Sequence, residues 1–196
     1  MKPILLDVPM PIFTPRLQIR PRQVGEGPIV AEAVRQSIDH LKPWMPFAQT
    51  IPTDSDMEEH CRKSLAQFIL RENFTLSIYD RAGNTFIGST GFHRANWDVP
   101  SVEIGYWVHQ ANVGKGFVSE AVNALSRYAF SVFKCKRVEI KCDSRNTKSL
   151  SVATRLGYSV EGILRNHDLA ENDSLRDTII TARYNDEGLP ALEVTW

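Results

Sequence analysis

The sequence predicts a mixed α/β domain: one central twisted mixed sheet flanked by helices. Three observations carry this. Alternating and helically spaced apolar residues follow one another as strand, two helices, three strands, helix, strand, helix, two strands. At 196 residues the chain has the length of one domain, 1–196. With 42% hydrophobic and 23% charged residues it can bury a sizeable core.

The elements follow in order. Leu17 and Ile19 alternate with Arg16, Gln18 and Arg20, a short strand. Helical spacing runs from Pro28 to Leu41, and Pro43 and Pro46 stop it. A second helix opens at Ser55, with Glu58 at capping-box spacing. Its stripe is Met57, Cys61, Leu65, Phe68 and Ile69. Strands at 74–79 and 85–92 flank Asp80, Gly83 and Asn84 and read as a hairpin. After the loop 94–101 comes a strand at 102–109. A glycine turn then leads into the strongest helix, 117–133, whose apolar face is Val118, Ala121, Val122, Leu125, Ala129, Val132 and Phe133. The strand 137–142 alternates Val138, Ile140 and Cys142 with Glu139 and Lys141. A short helix at 148–156 ends at Gly157. Strands near 158–164 and 176–184 are joined by the polar stretch 166–174.

Composition excludes several classes. Twenty-three Lys and Arg balance 23 Asp and Glu, which argues against broad electrostatic binding to nucleic acid. Cys61, Cys135 and Cys142 form no Cys-x-x-Cys pair, and the five histidines show no metal-ligand spacing, so no metal is expected. No apolar run approaches the ~20 residues that cross a bilayer. The N-terminal segment, broken by Pro3, Asp7, Pro9 and Pro11, is a poor signal peptide. The expectation is a soluble, cytoplasmic protein without membrane contact, a monomer or homodimer.

The junction Asn112-Val113-Gly114-Lys115-Gly116 is the most informative stretch. Glycines between a strand and a helix let the backbone turn tightly and approach a ligand. The helix's first turn supplies unpaired N–H groups and partial positive charge, which suits a phosphate or pyrophosphate. Plain structural turns use the same residues. A dinucleotide fingerprint is a further reading, with Ser119 at the third glycine position and Glu139 about 20 residues on. Glu139 falls inside its strand, however, and only one strand–helix–strand unit is present. No Walker pattern surrounds Lys115, whose plain reading is a solvated side chain.

Glu103-Ile104-Gly105-Tyr106-Trp107-Val108, Gly114-Lys115-Gly116 and Ser119-Glu120-Ala121 together resemble the acyl-CoA-binding core of the GNAT N-acetyltransferase superfamily, in particular its RimJ/RimL type. Thr14-Pro15-Arg16-Leu17, Leu41-Lys42-Pro43-Trp44-Met45-Pro46, Asn146-x-x-Ser149, Leu156-Gly157-Tyr158 and Glu161-Gly162 are similar to further stretches of that group, in the same order. The resemblance implies the GNAT fold and direct acetyl transfer from acetyl-CoA, as co-substrate, to an amine. The expected acceptor is a protein or peptide N-terminus of ribosomal-protein type; a small-molecule amine is the alternative. The chain departs from the family pattern at Ala111, where Gln or Arg is usual, and at Ala153, where many members carry a tyrosine. Those departures motivate a reading of another class, a non-catalytic acyl-CoA-binding or ribosome-associated module.

On this resemblance Val113, Gly114, Lys115, Gly116, Phe117, Val118 and Ser119 cradle the coenzyme. The N–H groups at Trp107 and Val108 face the oxyanion, where preorganised donors are worth roughly 10²–10³ in rate. Asn146 holds the pantetheine arm or caps its helix. Glu103 is the candidate base or an ion-paired residue of the sheet face. Ser149 is the candidate donor to the leaving thiolate or a capping serine. Trp44 and Trp97 floor the acceptor pocket or plug the edge of the core. Cys142, on the Val138/Ile140 face, is expected to be inert, and His93 and His109 structural.

Overall fold

The computed structural model describes residues 2–170 and 174–196. Its strands are β1 (Ile12–Phe13), β2 (Leu17–Pro21), β3 (Phe74–Asp80), β4 (Phe86–Asn96), β5 (Ser101–Val108), β6 (Arg137–Asp143), β7 (Ser159–Leu169) and β8 (Leu175–Arg183). The helices are α1 (Gly27–Gln36), α2 (Ile38–Leu41), α3 (Asp54–Leu70), α4 (Phe117–Ser131) and α5 (Thr147–Arg155). Among the described residues these strands form one sheet in the order β1-β2-β3-β4-β5-β6-β8-β7. Every neighbouring pair is antiparallel except β5 and β6. That single parallel pair needs a crossover, and α4 supplies it.

Strand alternation sends two apolar sets to opposite faces. Leu17, Ile19, Leu76, Ile78, Phe92, Ile104 and Ile140 pack against Ala121, Val122, Leu125, Tyr128 and Ala129 of α4. On the other face Tyr79, Phe86 and Trp107 meet Val30 and Val34 of α1, Leu41 of α2 and Cys61 of α3. No described helix is long and apolar enough to cross a membrane.

Several boundaries differ from the sequence expectation. The first helical run breaks at Ser37, giving α1 and α2. The capping box of α3 is Thr53 with Asp56, not Ser55 with Glu58: Asp56 N–H donates to Thr53 Oγ1 at 3.1 Å and Thr53 N–H returns the bond at 3.2 Å. Glu58 instead accepts from the N–H groups of Gly25 and Gly27, at 2.9 and 3.0 Å, where the chain enters α1. β4 and β7 run further into predicted loops, to Asn96 and Leu169. Of the polar stretch 166–174, residues 171–173 lie outside the described residues.

The pairing of β5 with β6 covers only Ser101–Arg137, Val102–Val138 and Glu103–Glu139. Beyond Glu103 the strands diverge, and β6 pairs with β8 along its other side. The gap opens at the carboxyl ends of two parallel strands, the usual ligand position in such sheets. α4 begins at its mouth and α5 starts just beyond β6.

Candidate active site

Two structures meet at this gap. The first is the N-terminus of α4. Gly114 and Gly116 hold φ of 79° and 80°. A Cβ at Gly114 would meet nothing within 4 Å, and one at Gly116 only Arg16 Nη2 at 3.5 Å. Backbone conformation, not space, therefore asks for glycine at both positions. The first intrahelical bond runs from Glu120 N–H to Gly116 O at 3.1 Å, so the N–H groups of Phe117, Val118 and Ser119 lie ahead of the ladder and are open to a ligand. A pyrophosphate suits that cradle. Lys115 Nζ is tied to Asn112 Oδ1 at 3.2 Å.

The turn is braced by residues that local patterning did not mark for this role. Glu120, on the first turn, accepts from Thr14 Oγ1 at 2.6 Å, Arg16 N–H at 3.1 Å and Arg16 Nε at 2.6 Å. Arg16 Nη1 donates to the Lys115 carbonyl at 3.0 Å, and its guanidinium lies 4.6 Å from the Phe117 ring centroid. His109 Nδ1 accepts from Ala111 N–H at 3.0 Å while Nε2 meets Gln36 Oε1 at 2.8 Å. The turn is thus held without a long side chain at position 111.

The second structure is a cavity of about 580 Å³ between the sheet, α1, α3 and the β7–β8 hairpin, within the usual range for ligand pockets. It reaches the gap at Tyr106, Cys142, Asn146 and Ser149. Tyr106 OH lies 3.0 Å from Ser149 Oγ and donates to the Ser149 carbonyl at 3.2 Å. Burial, opposed by the Ser149 hydrogen bond, pushes the Tyr106 phenol up to about 12. It stays protonated, and where its single proton goes to Ser149 Oγ rather than to the carbonyl, the serine proton is left to point elsewhere. The sequence reading missed Tyr106. Its signal was position: it shares the face of Ile104 on β5, the strand that borders the gap. Ala153 is fully buried in the α4-side core.

Asn146 Oδ1 accepts from Ser149 N–H at 3.0 Å, so it caps α5 and fixes the serine's place. Cys142 is half-buried at the cavity wall, not enclosed with Val138 and Ile140. Burial raises its thiol pKa, partly offset by a hydrogen bond to Ser149, which disfavours the thiolate a covalent intermediate needs.

Glu103 lines the cavity, where its Oε2 pairs with Arg94 at 2.6 Å and Lys141 at 3.1 Å. Trp44 is also in the lining. Trp97 is not: its indole packs edge-on against Phe74 and Phe133, at 6.3 and 5.5 Å between centroids, because β4 continues to Asn96 and turns the next residue onto the core. Trp97 is a core plug. Trp107 also changes role. His109 N–H donates to Ile87 O at 2.9 Å. By alternation along β5, the Trp107 N–H faces β4 and the Val108 N–H faces the gap. Val108 is thus the backbone donor at the opening, while the Trp107 indole forms cavity wall beside Phe47 and Phe86.

A glycine-bound helix terminus at a strand gap, joined to a side-chain cavity, can seat a phosphate-bearing ligand beside a second molecule. Residues 16–159 match the acetyltransferase (GNAT) domain model. The chain belongs to the GNAT acetyltransferase family. GNAT relatives include the ribosomal-protein-serine acetyltransferase of Escherichia coli, 28% identical over 153 residues, 77% of this chain and 85% of that protein. The [ribosomal protein uS5]-alanine N-acetyltransferase of E. coli is 25% identical over 189 residues, 91% and 93% of the two chains. The N-acetyltransferase p20 of Bacillus licheniformis is 35% identical over 95 residues, and the match spans about half, 53%, of its length. Among solved GNAT structures, RimL, the ribosomal L7/L12 α-N-protein acetyltransferase in complex with coenzyme A, superposes with a TM-score of 0.81 at 22% identity, over 88% of this chain and 96% of that one. That likeness speaks to the fold.

Proposed function

We propose that this GNAT chain transfers the acetyl group of acetyl-CoA to the N-terminal α-amine of a protein, with a ribosomal protein as the acceptor class. The observation that carries the reading is the continuity of the α4 terminus, the β5–β6 gap and the side-chain cavity. The named acceptors of its E. coli relatives, a ribosomal-protein serine and the uS5 alanine, support the acceptor class.

In this reading residues 113–119 hold the coenzyme pyrophosphate through backbone N–H groups. The Val108 N–H faces the oxygen that gains charge as the amine attacks. Ser149 Oγ, oriented by Tyr106, donates to the departing sulfur. Glu103 takes the proton that the amine must lose, directly or through water. Trp44 forms part of the acceptor wall. Direct transfer leaves no covalent enzyme intermediate.

An acceptor screen tests the proposal. Thiol release from acetyl-CoA is followed with ribosomal-protein N-terminal peptides, polyamines, amino acids and aminoglycosides, and the products are located by mass spectrometry. The expected result is α-acetylated peptide at the highest kcat/KM. A small amine outperforming every peptide overturns the acceptor class. Calorimetric binding of acetyl-CoA with no turnover on any amine overturns catalysis and leaves a binding module.

A further inference from the structure

One charge in the cavity wall has no counter-charge of its own. Arg22 follows the last residue of β2, lines the cavity and is 2% exposed. Its Nη1 donates to Ser77 Oγ at 3.1 Å, and its guanidinium lies 5.5 Å from the Phe86 ring centroid. Its Nε is buried without a hydrogen-bond partner, and its Nη2 has none among the described residues.

The carboxylate whose field Arg22 feels, Glu26, is committed elsewhere. Glu26 pairs with Arg20 at 2.6 Å and accepts from Tyr79 OH at 2.8 Å, Ser77 Oγ at 3.0 Å and the Gln23 N–H at 2.9 Å. Two arginines thus share one carboxylate. His60, close enough for Arg22 to lower its pKa after burial has done so, adds no negative charge. A buried, incompletely paired guanidinium is costly for a fold to keep. Its two partnerless donors, Nε–H and Nη2–H, lie on one edge of the planar group, the fork that takes a carboxylate side-on.

We infer that Arg22 is an acceptor-recognition residue that pairs with a carboxylate carried by the molecule whose amine is acetylated. This rests on the acceptor reading above and narrows it. The sheet sets the distance. Pro21 pairs with Leu76, Leu76 with Thr90, and Thr90 with Tyr106. Arg22 therefore stands three strands from the gap, roughly 14 Å at about 4.8 Å per strand. The arginine side chain spans part of that distance, and an extended acceptor, at about 3.4 Å per residue, spans the rest. The carboxylate then belongs to an acidic side chain at the second or third residue of a peptide, or to the α-carboxylate of a short acceptor.

The test uses matched acid and amide acceptors on the intact enzyme. One series carries Asp or Glu against Asn or Gln at the second and third peptide positions. The other sets free amino acids and dipeptides against their C-terminal amides. The acid is expected to have a KM lower by about ten- to hundredfold with kcat little changed, the scale of a charge-assisted bond. The series that shows the difference identifies the source of the carboxylate. Arg22→Gln should abolish the preference and Arg22→Lys should restore part of it. Equal KM for acid and amide in both series, with thiol release intact, overturns the inference and leaves the acetyl-transfer reading standing. An acid preference that survives in Arg22→Gln overturns it as well. Thiol release absent with every acceptor overturns both. Should Arg22→Gln fail to fold, the wild-type acid–amide comparison decides alone.

Discussion

The two halves of the proposed site, the α4 terminus for the coenzyme and the side-chain cavity for the acceptor, are built from different materials. At the α4 terminus the candidate binding groups are backbone N–H donors, and the side chains around them brace the turn. Glu120, Thr14 and Arg16 hold it through hydrogen bonds to one another and to the Lys115 carbonyl. Across the β5–β6 gap the wall is made of side chains: Trp44, Glu103, Tyr106, Ser149 and Arg22. A backbone site needs no surplus of charge, so a chain with net charge zero can grip a strongly anionic co-substrate. A side-chain site can change its acceptor by substitution without disturbing the fold. Mutations on the two sides should therefore fall on different kinetic constants.

The largest effect is expected at the gap. Tyr106→Phe removes the hydroxyl that meets Ser149 Oγ at 3.0 Å, and Ser149→Ala removes the proposed donor to the sulfur. Ser149→Ala should lower kcat by about 10². Tyr106→Phe should lower it less, and the double variant should lose little beyond the serine variant because the two act as a unit. Single-turnover rates at saturating acetyl-CoA measure this. Additive losses would separate the residues, and full turnover in Ser149→Ala would give the role to water. On the backbone side, Gly116→Ala places a Cβ at φ 80°, a strain of about 1–2 kcal/mol that the turn relieves by moving the N–H groups of residues 117–119. KM for acetyl-CoA should rise about tenfold, with kcat largely kept. If kcat falls instead, the two sides are not separable.

Legibility in the sequence follows the same division. The glycine turn, α4 and the strand order could be read because local pattern dictates them: φ above zero selects glycine, and a one-sided helix repeats its apolar residues. The capping box was misread because Thr53–Asp56 and Ser55–Glu58 offer the same spacing. Contact with Gly25 and Gly27, 33 and 31 residues away, draws Glu58 off, and no local rule encodes it. β7 was cut short because it is an edge strand exposed along nearly its whole length, so no alternation marks it. Trp97 and Trp44 were indistinguishable as aromatic residues beside prolines or polar loops; packing sends the first to the core and the second to the cavity. Arg22 lies in no motif and Tyr106 lies in one that assigns it no role; their importance arises where strands distant in sequence meet.

A moderate effect is expected at Glu103. Glu103→Gln removes the proposed proton acceptor together with the charge that Arg94 and Lys141 share. The alkaline-rising arm of the kcat/KM profile should flatten, with a several-fold loss at neutral pH. An unchanged profile assigns Glu103 to the ion pairs alone and leaves deprotonation to water.

The smallest effect is on stability, and it too belongs to the side-chain half. The His93 ring lies over Gly105, where a Cβ would sit 3.0 Å from its Cδ2, and its Nδ1 meets Asn73 Oδ1 at 2.8 Å. Burial lowers its pKa below 6.5; Glu103 opposes this and Arg94 adds to it. Burial also lowers His40 and His60. For a histidine lowered on folding, the unfolded chain binds the proton first. Stability is then complete above about pH 6.5 and declines as pH falls toward the folded-state value. Urea unfolding at intervals between pH 7.5 and 5.5 should show that decline. His93→Gln, whose amide can still donate to Asn73, should reduce the slope by up to one proton. An unchanged slope would mean that His93 takes up its proton equally in both states, so that the cavity wall tolerates an imidazolium beside Arg94.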